Sequence, residues 1–261
     1  MKKKNEVELK RIFADKTSGS SELLEQINIF FRNNFDGIQN KPQLISLLQK
    51  KFQTFQNIQD FLEQLKLELN SGQLSEKFFR RFNKEKKTVY DKIFANAYPF
   101  LKNKKTILTI SNSKTVFEIV KRLTTYNCKL ITICESRPGL EGRILAKKLV
   151  REKIKVELIT EAMIGSYIQK CDAVLIGADS VLRNRDVVNK TGSLQLAVLC
   201  KYYKKPFYVV VDKSKFSKKN SFTQNEESVE EIWKKFPKKI TVKNFYFEKI
   251  PRSLITKIIS D

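Results

Sequence analysis

The sequence predicts an α/β protein in two parts, a helical domain over residues 1–103 and, over 104–261, a parallel sheet with helices on both faces. Three observations carry this. Apolar residues recur at helical spacing from about residue 20 to 101, the period changes after Lys102-Asn103-Lys104-Lys105, and short β-rich apolar runs then alternate with amphipathic stretches.

In the first part, Leu44, Leu47, Leu48, Phe55, Ile58, Phe61, Leu62 and Leu65 follow helical steps, which predicts a stripe along one long helix with Pro42 in its first turn. Asn70-Ser71-Gly72 breaks the pattern, and Phe79, Phe82, Val89, Ile93 and Ala97 carry a further stripe until Pro99. The first part therefore reads as a small helical bundle. In the second part, strands are expected at Ile107–Ser111, Leu130–Glu135, Val156–Ile159, Ala173–Gly177 and Phe207–Val211. Helices are expected near Val116–Thr125, Glu141–Lys153, Glu161–Gln169 and Leu194–Tyr203. Strand, helix, strand repeated in this way requires a parallel, Rossmann-like sheet, and ligands of such sheets bind beyond the carboxyl ends of the strands.

Composition narrows the chemistry. The chain has 261 residues, 41% of them hydrophobic, enough for a sizeable core. It has no apolar run of the roughly 20 residues that cross a bilayer, and its start, MKKKNEVELK, has no apolar stretch of the secretory kind, so a cytoplasmic protein without membrane contact is expected. Cys128, Cys134, Cys171 and Cys200 show no Cys-x-x-Cys pairing and read as reduced core thiols; no metal site is expected. With no histidine, imidazole acid–base catalysis and the Ser-His-Asp triad are excluded. The net charge of +23 favours anionic partners, yet lysine is spread along the whole chain, which favours a compositional bias over a dedicated nucleic-acid surface. In Lys77–Lys87 aromatic and basic residues interleave, but Phe78, Phe79 and Phe82 share one helical face and read as core.

The strand ends hold the candidate site. After the first strand, Ser113, Lys114 and Thr115 place hydroxyls and an ammonium at a helix start, where free N–H groups suit a phosphate; an ordinary cap by Ser113 or Asn112 is the alternative. After the second, Glu135 to Arg143 form a Pro- and Gly-shaped loop in which Arg137 pairs with Glu135 or with a ligand. After the fourth stands Asp179, placed for partial burial and a shifted pKa, followed by Asn189 and Lys190; a carboxylate–lysine staple is the plainer reading. Lys215 follows the last strand at the same edge.

Taken in order, the segments ILTISNSKTV, ESRPGLEGR, LIGADSVLRNRDVVNKTGSLQLA, KPFYVVVDKSKF and NFYFEKIPRSLITKIIS resemble a known family. It unites the alpha, beta and delta subunits of translation initiation factor 2B with methylthioribose-1-phosphate isomerase and ribose-1,5-bisphosphate isomerase. The resemblance implies that Asp179 is the proton donor of an active member, that Asn189, Lys190 and Lys215 hold phosphate together with the first loop, and that Ser111 stands where the isomerases carry a cysteine. A serine without a nearby histidine is a poor base. No Arg-Gly-Ala motif occurs in the first hundred residues, so one side of the isomerases' substrate site is expected to be missing. The resemblance thus implies a non-catalytic, initiation factor 2B-like subunit that binds a sugar phosphate or nucleotide, without a cofactor. Its partners would be a second copy or paralogous subunits, docked through the C-terminal domain, and initiation factor 2; nucleic acid stays open. An aldose–ketose isomerase is the alternative.

Overall fold

The computed structural model describes residues 3–261, with side chains for all of these except 3–5 and 81–87. Phe82 and most of the basic–aromatic stretch 77–87 therefore lie outside the described side chains.

The chain opens with five helices: α1 (Lys3–Ala14), α2 (Ser20–Asn34), α3 (Lys41–Lys51), α4 (Gln56–Asn70) and α5 (Glu76–Leu101). The single long helix expected around residues 44–65 is in fact two, α3 and α4. The Phe52 N–H closes the last turn of α3 on the Leu48 carbonyl at 2.9 Å, and the Phe55 N–H then bonds the Phe52 carbonyl at 3.0 Å. From α4, the Gln59 amide donates to the Gln49 and Phe52 carbonyls at 2.9 Å each, satisfying acceptors that an ended helix leaves open. Apolar spacing runs through the break because both helices, and Phe52 and Phe55 between them, bury into one core. Pro42 sits in the first turn of α3 as expected, beside the Asn40 cap. Helix α5 runs past Pro99 to Leu101; so near the helix end, the missing N–H costs a single bond.

Helix α5 joins both layers. Its Phe78 and Phe79 pack into the helical core, whereas Ile93, Ala97 and Leu101 pack against one face of the sheet.

The rest of the chain runs β1 (Thr106–Ile110), α6 (Lys114–Leu123), β2 (Leu130–Cys134), α7 (Glu141–Arg151), β3 (Val156–Ile159), α8 (Ile164–Tyr167), β4 (Ala173–Ile176), β5 (Ser180–Val181), β6 (Val187–Lys190), α9 (Ser193–Tyr202), β7 (Phe207–Val210), β8 (Phe247–Ile250) and β9 (Lys257–Ile259). All five expected strands are present. The helix expected at Glu161–Gln169 is instead the four-residue α8 between two 3-10 turns, with Gly165 of weak helix propensity in its middle.

The main sheet is parallel, in the order β3-β2-β1-β4-β7-β9. Its strands alternate: Ile107, Ile131, Ile133, Ala173 and Leu175 face α5, α6 and α7, while Leu108, Val174, Ile176, Phe207 and Val209 face α8 and α9. Helices thus cover both faces, as expected. A small antiparallel sheet, β5-β6-β8, and the edge strand β9 were not foreseen. Among the described residues, no helix is long and apolar enough to cross a membrane.

Candidate functional site

Strand β1 continues through α6 to β2 on one face, whereas the chain returns through α8 on the other face to β4, which pairs beside β1. The loops after β1 and β4 therefore part in opposite directions and leave a crevice at their carboxyl ends. They approach closely there: a Cβ on Gly177 would lie 2.4 Å from the Ser113 Oγ, so the strand end needs glycine. Ser111 turns the chain with φ of 70°, an αL conformation that costs a serine roughly 1–2 kcal/mol. Its N–H is held by the Ser136 Oγ at 2.8 Å. Ser136 is anchored in turn by the Cys134 carbonyl at 3.0 Å and, through its own N–H, by Glu161 at 2.6 Å.

The crevice opens into a cleft whose floor includes Ser111, Glu141, Asp179 and Lys190. Lys190 Nζ lies 2.7 Å from Glu141 Oε1, and the two side chains are only 3% and 7% exposed. The Tyr246 ring covers the same ammonium at 4.3 Å from its centroid. Glu141 Oε2 has no hydrogen-bond partner among the described residues, and burial pushes this carboxyl up despite the opposing charge of Lys190.

Asp179 is half-buried. Its N–H bonds the Val188 carbonyl at 2.9 Å, which fixes the loop to β6. Burial raises its pKa, against the pull of Lys215, Lys190 and the Ser20 hydroxyl. That hydroxyl is itself buried and, although close to Asp179, makes no hydrogen bond of normal geometry. Lys215 lies behind Asp179, buried, with Nζ 2.7 Å from the Ala178 carbonyl; desolvation lowers its pKa, opposed by Asp179 and Asp212.

The structure sorts the expected site residues into two groups. Ser111, Asp179 and Lys190 line the cleft, and Lys215 backs it. Ser113 caps α6 by accepting from the Val116 N–H at 3.3 Å, Lys114 pairs with Glu25 at 2.8 Å, and Thr115 is buried. Asn189 is also buried and donates to the Ser193 hydroxyl at 2.8 Å at the start of α9. Ser113 thus makes the ordinary cap given as the alternative for the first loop. Arg137 does not pair with Glu135: the partner is Arg143, one turn into α7, at 2.7 Å.

The helical part supplies a further wall of the cleft. Lys16, Thr17, Ser18 and Gly19, between α1 and α2, line the cleft together with Phe52 and Phe55 from the α3–α4 junction. Asp15 shapes this turn by accepting from the Thr17 and Ser18 N–H groups at 3.0 and 2.9 Å. Gly19 comes so near the β1 loop that a Cβ would meet the Asn112 carbonyl at 3.0 Å. Helix α2 begins here with no side-chain cap on its Gly19 N-cap among the described residues, and its dipole favours an anion at this end. Sequence reasoning missed Glu141 as a site residue, although it stands inside the quoted loop segment. It also missed the 15–20 turn, whose Ser-Gly-Ser-Ser run before an apolar stretch is a helix-start signal.

The sequence pattern of the Initiation factor 2 subunit family matches residues 11–261. The chain belongs to this family. Among its relatives, a Pyrococcus furiosus protein described as translation initiation factor eIF-2B subunit 2-like is 31% identical over 188 residues, covering 72% of this chain and 66% of that protein. The ribose 1,5-bisphosphate isomerase of Archaeoglobus fulgidus is 31% identical over 171 residues, 62% of this chain and 54% of the enzyme. The aligned part thus spans about half to two thirds of the length of these two relatives. The crystal structure of Pyrococcus horikoshii translation initiation factor eIF-2B superposes with a TM-score of 0.80 at 19% identity, over 100% of this chain and 96% of that one, and so shares the fold. The initiation factor 2 subunit family therefore includes both translation-factor-like and isomerase relatives of this chain.

Proposed function

We propose that the protein is a non-catalytic, eIF-2B-like subunit that binds a phosphorylated sugar or a nucleotide in this cleft and assembles with a second copy or with paralogous subunits. The observation that carries the binding half is the pairing of two unlike ends in one cleft. One end has the uncapped start of α2, suited to a phosphate. The other has Asp179 with Lys190 and Lys215 close by, suited to hydroxyls and further charge on the ligand. Domain boundaries at residues 1–103 and 104–261, with the C-terminal part as the docking face, belong to the same proposal.

The chemistry at Ser111 supports the absence of turnover. Its hydroxyl lines the cleft in a chain without histidine, and a proton acceptor of that kind needs a neighbouring base. Asp179 favours the second reading, an aldose–ketose isomerase, because a half-buried carboxyl with a raised pKa facing a cleft suits proton transfer.

The purified chain is incubated with ribose-1,5-bisphosphate and with methylthioribose-1-phosphate while heat and product are followed. Binding without product is expected, weakened by Asp179→Asn. Turnover that Asp179→Asn abolishes would establish the isomerase instead, and no binding of either compound would remove the cleft assignment.

A further inference from the structure

The chain's one tryptophan lies outside the cleft floor, in a loop the site does not use. Residues 228–244 form this loop, closed at its base by the Glu227 N–H on the Asn244 carbonyl at 2.9 Å and by the Asn244 amide on the Ser228 carbonyl at 2.8 Å. Glu231 is turned inward, accepting from Lys16 at 2.6 Å, from Asn244 at 3.1 Å and from the Tyr246 hydroxyl. Because Glu227 and Tyr246 line the cleft, the loop springs from its rim.

The outer part of the loop is apolar and cationic at once. Trp233 is 47% exposed and packs at 6.2 Å on Phe236, and Ile240 is 42% exposed. Lys234, Lys235, Lys238 and Lys239 stand between and beside them, exposed to solvent, and none of the four has an ion-pair partner among the described residues. No acidic residue occurs from 232 to 247. Four exposed lysines with no carboxylate between them in the sequence thus surround an exposed indole.

We infer that this loop is a docking site for single-stranded nucleic acid, with Trp233 stacking on a base and the four lysines meeting phosphates. Every base offers a π-face, so an exposed aromatic among unpaired cations gives sequence-tolerant binding. An anionic membrane fits less well: Pro237 and the irregular backbone give no continuous amphipathic face to lay into lipid.

Because Trp233 is the only tryptophan, its fluorescence reads the site directly. The full chain is titrated with an oligouridylate of about 15 nucleotides, following tryptophan emission and, with a labelled oligonucleotide, anisotropy. Quenching is expected, with affinity falling steeply with salt at a log–log slope of about −3, since each phosphate contact on a single strand contributes about −0.7. Trp233→Ala should weaken binding by anisotropy roughly five- to hundredfold. Replacing Lys234, Lys235, Lys238 and Lys239 by Ala should flatten the salt slope, while replacing the exposed helix residues Lys10, Lys50, Lys66 and Lys92 should leave both affinity and slope within about twofold. Circular dichroism checks that each variant is folded. No anisotropy change at about 50 mM salt would overturn the inference. So would equal losses in the loop and control lysine variants, or a blue shift on phosphatidylserine vesicles with no response to oligouridylate.

Discussion

Lys190→Met tests whether the floor of the cleft rests on a buried charge pair. The substitution keeps the length of the side chain and removes the ammonium that lies 2.7 Å from Glu141 and 4.3 Å from the Tyr246 ring centroid. Both Glu141 oxygens are then without a side-chain partner among the described residues, since Oε2 has none already. Removing one member of a pair this well buried costs about 3–5 kcal/mol, because an uncompensated charge remains inside. The loss should depend on pH in a definite direction. Burial already holds the Glu141 pKa above its usual 4.5, and Lys190 is the main influence opposing that. Without Lys190 the folded-state pKa rises further. A carboxyl with a raised folded pKa is not penalised below its unfolded pKa and weakens the fold as pH rises from there towards the folded value. The deficit of Lys190→Met relative to the parent should therefore be largest near pH 8 and shrink towards about pH 5. Urea unfolding at the two pH values measures it. Adding Glu141→Gln removes the stranded charge and should recover all but about 1–2 kcal/mol. A loss below about 1 kcal/mol at both pH values, or a double variant as unstable as the single one, would refute the reasoning.

Other positions give simpler expectations. A Cβ on Gly142 would lie 1.9 Å from the Cys134 carbonyl oxygen, so Gly142→Ala must push α7 off the end of β2, costing about 3 kcal/mol in urea unfolding and displacing Glu141 from the cleft. The Thr109 hydroxyl is buried with no partner among the described residues, so Thr109→Val should leave the unfolding midpoint unchanged or raise stability by up to about 1 kcal/mol. Burial pushes the thiols of Cys128 and Cys171 up to about 11 and that of Cys200 up to about 12, and it raises Cys134 as well. At neutral pH Ellman's reagent should accordingly label the native chain slowly and all four thiols at once in denaturant.

Periodicity made most of the fold legible. A strand buried on both faces is largely apolar and an amphipathic helix must repeat every three to four residues, so β1, β2, β4 and β7 stand out locally, whereas the edge strand β3 carries Glu157 on a half-exposed run. The same pattern cannot show where two helices meet if both bury one face, and so the stripe from Leu44 to Leu65 conceals the break at Phe52. Of the site, Asp179 was legible because it stands just beyond an apolar strand at the parallel sheet's carboxyl edge, and Lys190 because it lies in the segment that continues from it. Glu141 and the turn from Lys16 to Gly19 were not, because what brings them to the cleft is contact between segments far apart in the chain. Strand β6 owes its register to β8, which pairs Lys190 with Phe247 across 57 residues of sequence. Local sequence thus determined which elements form, since burial periodicity is written residue by residue, whereas the pairing of Lys190 with Glu141 and the closing of the cleft by α2 were decided only when long-range packing brought buried charges together.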